Sequence, residues 1–161
     1  MAAVAELGSA DSIRTVKLHR PSDQIAGCCW LPRFADKARC YLAGDLPFLY
    51  RIAFGSRIGV DGYFLRHFRL SRRQFLQGVG SSGDEGALAR WFLALPSITT
   101  SSIESWNRLA PTLGAKGYRG YLTRHMVKWV LYPKSVKQPV NSIFEAIEQD
   151  EHTGIDSTRN V

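Results

Sequence analysis

The 161-residue sequence predicts a mainly α protein: a compact single-domain helical bundle of about six or seven short helices, with a minor two-stranded hairpin. Three observations predict it. Apolar residues recur at three- and four-residue spacing in several separate stretches, as on the buried side of a helix. Serine, aspartate, glycine and proline punctuate those stretches at the short intervals of helix caps and stops. The composition, 45% hydrophobic and 22% charged, is that of an ordinary globular chain long enough to bury one core. The division that follows is a flexible arm over residues 1–18, one helical domain over 19–150 and a tail over 151–161.

Each element rests on local chemistry. Pro21 makes a turn, and Ser22 or Asp23 then offers an oxygen to the first free amides of a helix, which reads on to a stop at Gly44. Pro32 removes a backbone donor from that stretch, so the pattern predicts a kink or two helices, the second starting near Leu31. On the second, Leu31, Phe34, Ala35, Ala38, Tyr41 and Leu42 form an apolar stripe, and Arg33, Asp36, Lys37 and Cys40 share the other face. Phe48, Tyr50, Ile52 and Phe54 alternate, which predicts an extended excursion or hairpin over 48–60. Asp61 is expected to cap a helix from Gly62 to Phe68, and Ser71 another from Arg72 to Val79. Further helices are expected over Asp84–Leu95, from Ser101 or Ser102 through Trp106-Asn107, over Tyr121–Leu131, and over Val140–Asp150. A basic connector with Lys134 and Lys137 separates the last two.

The net charge of +7 is uneven. From Arg14 to Arg73 there are twelve Lys/Arg against four Asp/Glu, whereas residues 74–161 carry nine against eight. The positive field therefore belongs to the N-terminal half and favours an anionic partner. No stretch approaches the roughly 20 apolar residues of a membrane span, and no membrane partner is expected. The N-terminus lacks a signal peptide's basic start and apolar core. Cys28, Cys29 and Cys40 form no disulfide-like pattern, so a cytoplasmic location is expected. No metal spacing, phosphate-cradling glycine loop or dinucleotide fingerprint occurs, so neither metal nor cofactor is expected.

The run Leu31-Pro32-Arg33-Phe34-Ala35-Asp36-Lys37-Ala38-Arg39, then Leu42-Ala43-Gly44, resembles the bacterial domain-of-unknown-function family 5069 (DUF5069), with its LPR, two residues, DKAR and L-x-G. The similarity continues through Asp61, Phe64-Leu65 and Phe75-Leu76 to Ser105-Trp106-Asn107, and covers residues 20–110. Gly27 followed by Cys28-Cys29-Trp30 departs from the family's plainer aliphatic lead-in. The resemblance implies a small helical protein and carries no established activity. It also implies that Arg33, Asp36, Lys37 and Arg39 are the positions to examine first.

These four residues are the sharpest chemical signal. Cations beside a carboxylate on one helical face can hold an anion while the carboxylate handles a proton. The favoured expectation is a small-molecule site for an anionic or oxygen-rich substrate, working as a cofactor-independent lyase, isomerase or hydrolase. Asp36 is the expected base, Lys37 or Tyr50 the acid, and Asp61 a further carboxylate. Arg33 and Arg39 would bind the substrate, with Trp30, Tyr63, Trp106 and Asn107 completing the walls. The bland alternative makes the charges a solvated face, Asp61 a cap, the aromatics core and Asn107 a backbone brace. A second expectation is a nucleic-acid-binding module in which residues 64–76, with Arg72, Arg73 and Gln74 opening a helix, imitate a helix-turn-helix. A third is a non-catalytic interaction domain, identified by a flat apolar patch.

Overall fold

The computed structural model describes residues 17–121 and 141–156. Residues 1–16 of the arm, all but Tyr121 of the helix expected over 121–131, and the basic connector lie outside them. Among the described residues the fold is mainly α, with seven α-helices and one small sheet.

The chain enters through a hairpin where a helix was expected. Strands β1 (Gln24–Ile25) and β2 (Cys28–Cys29) pair antiparallel, Gln24 opposite Cys29 and Ile25 opposite Cys28. The two turn residues, Ala26 and Gly27, both have left-handed backbones at φ 53° and 72°. Two such residues give the turn a twist that matches its strands. An alanine in the first turn position hides this signal from the sequence, and Ser22 and Asp23 therefore cap no long helix. The hairpin continues to Trp30, whose amide donates to Pro21 O at 3.1 Å.

Helix α1 (Leu31–Ala43) starts where Pro32 predicts it and ends at Gly44, φ 79°, whose N–H closes back on Cys40 O and Tyr41 O. Residues 48–60 are not extended: α2 (Phe48–Ala53) is a short helix entered from Pro47, and none of its six residues is buried. Four alternating apolar residues could not distinguish a strand from one and a half helical turns, and the proline at its start favours the helix. Helix α3 (Val60–His67) is entered from Gly59 and not capped by Asp61, whose side chain turns inward.

Helix α4 (Arg72–Ser81) opens with a reciprocal capping box between Ser71 and Gln74. Helix α5 (Glu85–Leu93) is capped by Asp84. Helix α6 (Thr100–Leu109) starts earlier than expected because Thr99, with Ser102, forms its capping box. A 3₁₀ turn (Ala110–Thr112) follows, and α7 (Ile143–Asp156) closes the described chain. No helix among these residues is long and apolar enough to cross a membrane.

The core is aromatic. Phe34 on α1 stacks on Phe75 of α4 at 4.0 Å and meets Phe54 and Phe64 at 5.3 and 5.5 Å. Phe64 extends the cluster to Phe68, Phe92 and Trp106. Such pairs add about 0.5–1.5 kcal/mol each beyond area burial. Helix α4 comes close enough to α5 that Gly78 lies against the Trp91 ring: a Cβ there would fall 2.0 Å from ring atoms.

An exposed helical glycine gains about 1 kcal/mol on replacement by alanine. Gly78→Ala is expected to reverse that sign and destabilise by about 1–3 kcal/mol, through overpacking against Trp91. Urea unfolding of the variant checks it.

Candidate functional site

The charged face of α1 is divided by the fold. Arg33 is 0% and Lys37 6% exposed, whereas Asp36 and Arg39 reach the surface. The expected single face of Arg33, Asp36, Lys37 and Arg39 therefore becomes an inner group and an outer group.

The inner group forms around Asp61, 3% exposed, in the first turn of α3. Lys37 Nζ donates to Asp61 Oδ1 at 2.5 Å and Trp30 Nε1 to the same oxygen at 2.9 Å. The Gly55 amide donates to Oδ2 at 3.2 Å. The ammonium also lies 4.7 Å from the Trp30 ring centroid and 5.5 Å from that of Phe34, on the electron-rich faces that attract cations. Burial pushes the Lys37 ammonium below lysine's ordinary range, and Arg33 adds to this; the Asp61 carboxylate pulls the other way. This is a desolvated ion pair with every oxygen engaged, deep beneath the surface. Trp30 holds it in place with its indole, stacked on Phe144 of α7 at 5.3 Å. Its own backbone is left-handed, φ 68°.

The outer group centres on His19, one of the chain's four histidines. Its Nδ1 lies 2.6 Å from Asp36 Oδ2 and its backbone N–H donates to the same oxygen at 2.8 Å. A carboxylate accepts and does not donate, so Nδ1 carries the proton in that bond. The opposite nitrogen, Nε2, is 3.5 Å from Glu85 Oε1 at the rim. Arg39 Nη1 stands 3.6 Å from Asp36 Oδ1, an i,i+3 pair. Arg33 links the groups, its Nη1 donating to the His19 carbonyl at 2.8 Å. No sequence pattern could have found the His19–Asp36 bond, which joins a loop residue to a helix seventeen positions away.

The remaining candidates lie elsewhere. Tyr50 is half-buried on α2 and packs against the core. Tyr63 is half-buried under the Arg66 guanidinium at 4.7 Å. Trp106 and Asn107 brace the hairpin: Trp106 Nε1 donates to Cys29 O, Asn107 Oδ1 accepts from Cys29 N and Asn107 Nδ2 donates to Gly27 O. The amide is thus spent on backbone, as the bland reading held. Asn107 and Cys29 also border an open hollow of about 350 Å³ with Ser22, Phe144, Glu145 and Glu148. Burial raises the Cys40 thiol, helped by Asp36 and Asp45, which opposes a thiolate there. In the segment 64–76, Phe64, Phe68 and Phe75 enter the core, and Arg72 lies over Tyr41 and Phe54 at 4.8 and 5.1 Å.

The family model described as Domain of unknown function (DUF5069) matches residues 16–153, and the chain belongs to that family. The match includes His19, which lies just outside the motifs read from the sequence, and extends past Gly120 into α7. No curated protein matches the chain.

Breaking a buried pair by removing one partner strands a charge. Lys37→Met and Asp61→Leu are each expected to destabilise by about 3–5 kcal/mol, and the double variant by clearly less than the two combined. A double-mutant cycle in urea checks this.

Proposed function

We propose that this family member binds a small anionic or oxygen-rich molecule at the outer group on α1, and that it performs cofactor-independent acid–base chemistry there, of the lyase, isomerase or hydrolase type. The observation that carries the reading is the double acceptance by Asp36 Oδ2 of both the backbone N–H and the Nδ1 of His19. That arrangement holds the imidazole's orientation and its Nδ1–H tautomer and leaves Nε2 directed outward. The ring is 38% exposed, so a ligand reaches it without displacing core residues.

The roles differ from those expected of the sequence. His19 transfers the proton and Asp36 positions it. Arg39, half-buried beside them, offers the remaining donors of its guanidinium to a carboxylate or phosphate. Glu85, largely exposed, stands at the rim beside Nε2 and leaves that nitrogen open to solvent on its other side. Lys37, Arg33 and Asp61 act at a distance, by holding α1 and the His19 backbone.

The test is nitrogen-15 NMR of the His19 ring during titration with a panel of small hydroxycarboxylates and phosphate monoesters. The expected spectrum shows the Nδ1–H tautomer, with panel members moving both ring nitrogens and the Arg39 side chain. Asp36→Asn is expected to disturb that tautomer and, for any ligand turned over, to lower kcat by about 10²–10⁴-fold at unchanged fold. A panel that leaves the ring unmoved, or a variant with the wild-type tautomer and full turnover, removes the proposal.

A further inference from the structure

We propose that α2 and the turn after it form a docking surface for a bilayer rich in anionic phospholipid. Helix α2 buries none of its residues, although Phe48, Leu49 and Ile52 are three of its six. Phe48 is 71% and Ile52 64% exposed, and Ile58, in the following turn, is also exposed. Single exposed apolar side chains are ordinary, but four within residues 48–58 make a patch that water does not favour.

The charge around it decides the occupant. From residue 46 to residue 83 the chain carries six arginines (Arg51, Arg57, Arg66, Arg69, Arg72 and Arg73), no lysine and one carboxylate, Asp61. That carboxylate is buried and already neutralised by Lys37. The charged side chains that this stretch exposes are therefore all cationic, with the exposed Asp45 just before it as the nearest exposed carboxylate in sequence to α2. A second copy docking through the same face would bring Arg51 and Arg57 against their own kind. An acidic helical peptide would need a groove to receive its side chains, whereas here Phe48, Leu49 and Ile52 protrude from the helix into solvent. A fluid bilayer accepts protruding side chains at the boundary of headgroups and acyl chains, while arginines bind the phosphates above them. Nucleic acid would satisfy the arginines and leave Phe48, Leu49 and Ile52 in water. Docking of this kind needs no membrane-crossing helix, and it is independent of the chemistry at His19.

The experiment is co-sedimentation of the full chain with large vesicles, either of phosphatidylcholine alone or of phosphatidylcholine mixed equally with phosphatidylglycerol. Association is expected with the mixed vesicles only, weakening as salt rises. Phe48→Ser combined with Ile52→Ser is expected to lower partitioning about tenfold or more, and Arg57→Gln about fivefold. Because these side chains face solvent, the unfolding midpoint should stay at its wild-type value. If the double variant nevertheless unfolds, Leu49→Ser and Ile58→Ser carry the same test singly. No binding to the mixed vesicles at low salt overturns the proposal, as does wild-type binding by the apolar-to-serine variants. So does concentration-dependent dimerisation, or retention on nucleic acid, in place of vesicle binding.

Discussion

Two oxygens of Asp61 receive donors from three separate parts of the chain: Lys37 in mid-α1, the indole of Trp30 that leads into α1, and the amide of Gly55 after α2. Taking a carboxylate and an ammonium out of water costs several kcal/mol per ion, and their attraction offsets this only when geometry and the remaining hydrogen bonds are good. Here the carboxylate has three donors, and the ammonium has Asp61 together with two aromatic faces. The arrangement also retains a strained residue. A left-handed tryptophan costs about 1–3 kcal/mol and persists only where its surroundings over-determine it. Trp30 is held by Asp61 through its nitrogen and by Phe144 through its face. The strain has a geometric result, since it turns the chain out of the hairpin and directly into α1.

Once α1 is fixed in this way, its charged residues cannot all face one side. Positions 33 and 37, one turn apart, point toward Asp61 and the loop carrying His19, while 36 and 39 lie a quarter to a third of a turn around the helix. Arg33 spans the two environments: its stem is in the core and its guanidinium holds the His19 carbonyl. The segment before the hairpin is thereby tied to α1 from inside by Arg33 and from outside by Asp36. The ring and backbone of His19 are thus held by two side chains of one helix.

What was legible in the sequence was local. Pro32, Gly44, Ser71 and Asp84 each act on neighbouring backbone, and each marks a helix end close to where the structure has one. The misreadings share a different cause. The hairpin depends on two consecutive left-handed residues, which Ala26 does not advertise. Phe48 to Phe54 alternates over too few residues to define a period, and Asp61 has a cap's residue type but stands inside the first turn of α3. Its inward turn is decided by Lys37 and Trp30, twenty-four and thirty-one residues away. The charges on α1 that enter both groups were legible in its sequence. His19 was missed because its partnership exists only after the hairpin has reversed the chain.

Helix α2 is best understood from its two ends. Leu46 just before it and Phe54 just after it are both deep in the core, and Phe54 stacks with Tyr41 and meets Phe34. The helix between these anchors is therefore held close to the protein, and Arg51 fastens it further to the carbonyls of Gly44 and Leu46. A segment anchored at both ends has apolar side chains outside only if the intervening turns are phased that way. Rotating six residues by half a turn would bury Phe48 and Ile52 and expose Tyr50 and Ala53, which are the less apolar choice for water to lose and the more natural one for it to meet. The phase seen turns the half-buried Tyr50 and Ala53 inward and leaves Phe48, Leu49 and Ile52 outside.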